Sequence, residues 1–301
     1  MVTDRGTAVG LYAGTIAISA AGAAAHRRLE GRFPRAVRAI VPGGAALGWA
    51  ALNVLERRRP FDDAWKPGAA EVRTDAGFLI AGALPVAVGG AVGAALARRV
   101  KVRLGLGRIP AVIGVPAALA TYDLFHYGWH RLSHQWGPAW RLHSVHHSPE
   151  RLYWLNATRF HVAESLLEGT VEATLGHLFG LRPHQETAYR LFRSIYGQVQ
   201  HANVAVDSGP LDRVFSTPDL HRWHHSELYE EGDTNYGAMT SIWDQLFGSY
   251  YRPDRPFTSK LGVGRMPEFP SRFIGLQRVP FDWEQIKAAN ASTWYDPPVR
   301  A

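Results

Sequence analysis

The chain of 301 residues contains no cysteine. That absence excludes disulfides, a thiolate-ligated haem, cysteine-held iron–sulfur clusters and a cysteine nucleophile within this polypeptide. Alternating strand patterns are weak throughout, and neither internal repeats nor low-complexity tracts stand out. A formal charge of +7 and a pI near 9.8 are accompanied by no nucleic-acid reader motif, so no nucleic-acid partner is expected. The His-Glu-x-x-His signature of zinc hydrolases and the Glu-x-x-His ligands of carboxylate-rich diiron bundles are missing as well.

Histidine is what the chain has in quantity, 14 residues in all. His130 and His134 are followed by His143, His146 and His147, and about eighty residues later by His221, His224 and His225. At this histidine content one chance HxxHH is expected roughly 0.03 times, and two together far less often. On a helix, residues three and four apart share a face, so each motif presents a claw of imidazoles. Neutral imidazole is a good ligand for iron, zinc, copper or nickel, and its ordinary pKa leaves it mostly unprotonated at neutral pH. A pH-sensing cluster or separate structural zinc sites are the plainer alternatives.

The first half of the chain alternates apolar runs with short basic blocks. Residues from about Thr7 to Ala25 and from about Ala76 to Ala97 are long enough to span a membrane, and their glycine and alanine suit close helix packing there. Two weaker segments, about Ala39 to Leu55 and Ile109 to Phe125, are shorter and carry Pro42, Pro110 and Pro116. The connections 26–38, 56–75 and 98–108 each hold five Lys or Arg residues, so the positive-inside rule gives no orientation. A soluble helical protein is the competing reading, given a mean hydropathy of −0.16. Further on, helices are expected at about Ala163 to Leu181 and Thr187 to Val206. The proline- and arginine-rich tail from Tyr251 reads as a surface wrap with a short helix near Trp283 to Asn290.

From Asp123 through His130, His134 and Trp140 to His143, His146 and His147, the chain resembles the fatty acid hydroxylase/sterol desaturase superfamily of membrane non-haem diiron enzymes. The likeness continues in order through Asn156, Arg159, His161, Glu164, Gln200, His201 and Asn203. It extends through Thr217-Pro218 with the last histidine claw, then Asn235-Tyr236-Gly237 and Trp243-Asp244, covering about residues 120–250. The resemblance implies a mainly α fold: a membrane helical bundle with a cytoplasmic histidine-rich diiron cap. Residues 1–120 would supply N-terminal membrane helices, 121–250 the catalytic domain and 251–301 a C-terminal surface tail. It further implies two iron ions, with O2 as co-substrate and a lipid to be hydroxylated or desaturated.

Carried onto this chain, the implied metal ligands are His130, His134, His143, His146, His147, His161, His201, His221, His224 and His225, with no catalytic side chain beyond them. One departure is Gly197, four residues before His201, where some fatty acid hydroxylases carry a histidine. Asp123, Arg159, Glu164, Asn203, Asn235 and Asp244 are candidates to support the ligands or simply to cap helices and close loops. Trp129, Trp136, Tyr153 and Trp154 are candidates to line an apolar channel. No His-Pro-Gly-Gly haem signature is fused to the chain, so a separate electron donor, cytochrome b5-like, ferredoxin or pterin, is expected. A membrane zinc-dependent hydrolase and a non-enzymatic metal-binding membrane protein are the alternatives.

Overall fold

The computed structural model describes residues 4–100 and 103–294. Among the described residues the architecture is helical, with a few isolated β-bridges and no strand. Three long helices come first: α1 (Arg5–Leu29), α2 (Pro34–Arg58) and α3 (Ala69–Arg99). All three are long and apolar enough to cross a membrane. Asp4 starts α1 by accepting from the Gly6 amide at 2.8 Å, and His26, Arg27 and Arg28 close it, placing cations at the negative end of the helix dipole. Along α3, Ile80 and Leu84 are 75% and 71% exposed; in water such an apolar face would be costly, whereas lipid covers it at no loss.

Two expectations from the sequence are corrected by these helices. The segment placed at Ala39 to Leu55 is a full 25-residue helix, because Pro34 begins it at the first turn, where no amide is needed, and Pro42 is carried inside it. The segment placed at Ile109 to Phe125 also runs on, as α4 (Ala111–Gln135), and crosses residue 120 without a break.

The remaining helices are α5 (Gly137–His147), α6 (Val162–Phe179), α7 (Pro183–His201), α8 (Pro218–His224), α9 (Tyr229–Gly232), α10 (Ile242–Phe247) and α11 (Phe273–Ala289). Helix α6 packs along α3, and α7 lies against α1 and α2, while α4 joins α5, α6 and α7. The α3–α6 seam is close enough that a Cβ at Gly93 would stand 2.2 Å from the Thr170 carbonyl oxygen, and one at Gly169 2.4 Å from that of Val86. Only glycine permits that approach. A buried ion pair, Arg159 to Asp75 at 2.7 Å, fastens the loop before α6 to the start of α3.

In the tail, α11 begins ten residues before the expected short helix. Leu276, Val279, Trp283 and Ile286 recur at three- and four-residue spacing and are buried against Phe78 and Val145. Their burial carries the helix through Pro280.

Candidate metal centre

The histidines converge above the bundle from four helices. His130, His134, His143, His147 and His224 form one group, and His146, His201, His221 and His225 a second; within each, the ligand nitrogens lie within 4.8 Å of one another. The HxxHH spacing divides the rings between them. In α5 the i, i+4 pair His143 and His147 faces the first group, and His146 turns to the second. At α8 the i, i+4 pair of His221 and His225, the residue that caps the helix, faces the second group, and His224 turns to the first. Each claw therefore bridges both groups, and the His147 and His225 rings stack between them with centroids 4.3 Å apart.

Hydrogen bonds fix which nitrogen of several rings is free. His130 Nδ1 meets the Tyr236 carbonyl oxygen at 2.7 Å, His224 Nδ1 the Thr234 carbonyl at 2.7 Å, and His143 Nδ1 the Glu164 carboxylate at 2.7 Å. These oxygens only accept, so each Nδ1 donates and each Nε2 is left with a bare lone pair. The Nε2 atoms of His130, His143 and His224 are all buried without a partner. Three converging acceptors in a dry interior cost roughly 1–3 kcal/mol each unless a cation receives them.

In the second group, His201 Nδ1 donates to Asn156 Oδ1 at 2.9 Å, leaving its Nε2 3.3 Å from that of His146; the Nε2 atoms of His221 and His225 are 3.1 Å apart. His134 and His147 in the first group show the same 3.1 Å separation. Ligands held ~2.0–2.1 Å from one ion stand about 3 Å apart on an edge of its coordination shell. The donor set is thus suited to a borderline transition metal such as iron or zinc.

Burial, reinforced by neighbouring imidazoles, holds His130, His134, His146, His147, His201, His221 and His225 well below the ordinary histidine pKa. Burial likewise takes His224 down to about 3. These rings stay neutral at physiological pH, the form that ligates.

His161, expected among the ligands, stands outside both groups. It starts α6, its Nδ1 accepting from the Ala163 amide at 3.1 Å, and its Nε2 reaches the Gln277 carbonyl at 3.1 Å. With both ring nitrogens engaged by backbone, no lone pair faces the other histidines. His126, one turn before His130, instead bonds to Glu168 at 3.1 Å.

Among the supporting candidates, Glu164 alone touches a clustered histidine directly. Asp244 accepts from the amides of Tyr236 and Gly237, and Asn235, at φ 52°, ties its side chain to Leu220 and Tyr251. Asp123 accepts from Met239 and Thr240. Together they hold the loop whose carbonyls orient His130 and His224. Burial pushes the Asp244 carboxyl up to about 6 despite those bonds. Arg159 serves the Asp75 pair, and Asn203 closes the loop at Phe61 and Asp62. The carbonyls of Thr234 and Tyr236 and the 3.9 Å approach of Asp233 to His134 were not foreseen from sequence, although Asn156 lay within the family-like motif.

Fold and site together define a helical membrane protein organised around a buried histidine cluster able to hold metal. The fatty acid hydroxylase family model matches residues 115–249. The ornithine lipid hydroxylase OlsE of Rhizobium tropici is 31% identical over 224 residues, covering 71% of this chain and 68% of that protein. An alkylglycerol monooxygenase of Caenorhabditis elegans is 33% identical over 128 residues, 42% of this chain and 25% of its own length. A Delta(7)-sterol 5(6)-desaturase of Leptosphaeria maculans is 28% identical over 155 residues, covering 50% and 40%. No solved structure gives a significant match. The chain belongs to the fatty acid hydroxylase/sterol desaturase superfamily.

Proposed function

We propose that this protein is a membrane-bound diiron oxidoreductase that uses O2 to hydroxylate a lipid. The observation that carries the reading is the convergence of nine imidazoles, eight of them on buried residues, into two adjoining groups that share α5 and α8. The three named relatives, a lipid hydroxylase, a monooxygenase and a desaturase, support a lipid-oxidising reaction, of which hydroxylation is favoured over desaturation. In this reading His130, His134, His143, His147 and His224 hold one iron, and His146, His201, His221 and His225 the other. Residues 1–120 supply the spanning helices, 121–250 the catalytic domain and 251–301 the tail, with the histidine face on the cytoplasmic side where reductant is available.

Bound iron would supply the oxygen activation that attack on an unactivated C–H bond requires. In balance, substrate C–H, O2, two electrons and two protons give C–OH and water, and the electrons come from a separate donor protein or pterin. The chain's own part is to keep the imidazoles neutral, hold their orientation through Glu164, Asn156 and the Thr234 and Tyr236 carbonyls, and exclude bulk water. Placing this centre beside membrane helices lets a poorly soluble substrate enter without crossing water.

Lipid extracts of cells with and without the protein, compared by mass spectrometry, test the reaction alongside the metal content of purified protein. A gain of one oxygen on a lipid class and two irons per chain are expected. Two tightly held zinc ions with hydrolysis and no O2 uptake would overturn the proposal.

A further inference from the structure

Helix α2 reaches the histidine region through one inward-facing carboxylate. Its last turn ends in Glu56-Arg57-Arg58, and while both arginines are exposed, Glu56 turns into the protein. A single oxygen of that side chain, Oε1, accepts from two backbone amides, that of Trp154 at 2.7 Å and that of Asn203 at 2.9 Å. The carboxylate meets these two amides and no cation among the described residues. Taking a carboxylate out of water without a counter-charge is costly, so the gain lies in what the two amides are attached to.

Both amides flank the one brace of the second histidine group. Of its four rings only His201 has its outer nitrogen bonded, to Asn156 Oδ1 at 2.9 Å, whereas the Nδ1 atoms of His146, His221 and His225 are buried without a partner. Trp154 opens the short 3-10 turn Trp154–Thr158, which carries Asn156 two residues on. Asn203 lies two residues past His201, where α7 has ended, and its own side chain is held by the Asp62 backbone at 3.0 and 2.9 Å. Glu56 thus ties together the two segments whose separation sets the Asn156–His201 bond. Asn156 is anchored within its own segment too, its Nδ2 donating to the Arg151 carbonyl at 2.7 Å, so a shift of the turn carries the amide with it.

The same face of α2 makes a second attachment to the same two elements. Trp49, seven residues before Glu56 and so on its side of the helix, donates from its indole to the Ser194 carbonyl of α7 at 2.8 Å and stacks on Trp154 with ring centres 6.0 Å apart. A Cβ at Gly48 would stand 2.9 Å from the Ile195 side chain, so α2 and α7 are closely packed. Two attachments on one rigid helix align the turn with the end of α7.

We infer that Glu56 is a positioning residue for the second metal group: reaching from α2, it sets the approach of Asn156 to His201 and thereby the direction of that ring's Nε2. This role rests on the metal-holding part of the proposed function and not on lipid oxidation. It requires an acceptor oxygen at the reach of a glutamate side chain, with the charge only strengthening the two bonds.

Three substitutions in the full-length, iron-loaded protein in nanodiscs separate reach from charge. Glu56→Gln keeps the oxygen and the reach, Glu56→Asp keeps the charge but is one methylene short, and Glu56→Leu removes the acceptor. Chelator competition, with the second-group iron identified as that lost in His146→Ala, reads the two groups separately. Second-group affinity should fall about tenfold in Glu56→Asp and Glu56→Leu, the lower end of what losing an outer partner of a ligand does. In Glu56→Gln it should stay within about threefold, the difference between a charged and a neutral hydrogen bond. First-group affinity should be unchanged in all three, and the Mössbauer signal of the second iron should shift in Glu56→Asp and Glu56→Leu but not in Glu56→Gln.

Affinity kept in Glu56→Asp and lost in Glu56→Gln would make charge, not placement, the contribution, and overturns the role. An equal fall at both groups overturns it as well, because general loosening of the fold gives that result, as does an unchanged second group in Glu56→Leu. Where Glu56→Leu does not fold, the order of the other two variants decides. A native protein that holds no metal in the second group removes the metal centre and this role with it. Lipid oxidation by a protein whose two groups respond alike sinks the role of Glu56 alone.

Discussion

The two histidine groups differ in how firmly the protein holds them. In the first, His130, His143 and His224 are each braced from behind by a carbonyl or carboxylate at 2.7 Å. In the second, His201 is braced by Asn156, but the Nδ1 atoms of His146, His221 and His225 are buried without a partner. A ligand whose outer N–H is fixed has its tautomer and direction set before metal arrives. The first group is therefore built as a preorganised centre, whereas the second depends more on the ion itself to orient its rings.

The most severe way to break this contrast is to remove one ligand from each side. If the proposed diiron chemistry draws on both groups, His224→Ala and His146→Ala should both abolish turnover. They should differ in metal content: His146→Ala should keep about half of its iron, bound in the first group. If both variants lose all metal together, the two groups are one cooperative unit and the contrast fails.

Metal removal exposes the same groups to protons. The eight shifted imidazoles all move downward from 6.5, with His224 at about 3. The unfolded chain therefore takes up protons that the folded metal-free chain refuses. Stability present above pH ~6.5 should be lost as the pH falls through the lowered folded values, by up to ~1.4 kcal/mol per pH unit for each ring that stays neutral. Thermal midpoints of chelator-treated protein between about pH 8 and 5 measure this. An unchanged midpoint would mean that the rings are solvated once the metal leaves.

A milder perturbation separates bracing from ligation. Glu164→Gln keeps the size of the side chain and replaces the charged acceptor of His143 with a neutral one. First-group affinity should fall about 10- to 100-fold, visible in chelator competition, and second-group metal should be unaffected. Asn156→Leu should do the converse through His201. Equal effects of both substitutions on both sites would erase the distinction between the groups.

Much of the site was legible because its information is carried by side-chain identity and spacing. Three- and four-residue intervals put His143, His146 and His147 on one helix face, but only coordinates divide that face between two centres. The carbonyls of Thr234 and Tyr236 were hidden for a plain reason: every residue has one, so nothing in the side chain marks those that orient a histidine. Asn235-Tyr236-Gly237 hinted at the loop without disclosing its task. In the fold, the apolar runs were visible, whereas Pro42 marked a weaker, shorter segment that proves to lie inside a full-length helix.

His161 gives the smallest expected effect and the sharpest check on spacing as a guide to ligation. Its place in the family-like motif suggests a ligand, but both ring nitrogens meet backbone groups, one capping α6. His161→Ala should cost about 1 kcal/mol of stability, as loss of a helix cap does, and leave iron content intact. His161→Asn, able to cap with its own oxygen, should recover most of that loss, although asparagine is a poor substitute for an imidazole at a metal. If the alanine variant loses iron and asparagine does not restore it, His161 belongs with the ligands, and the boundary drawn around the two groups is too tight.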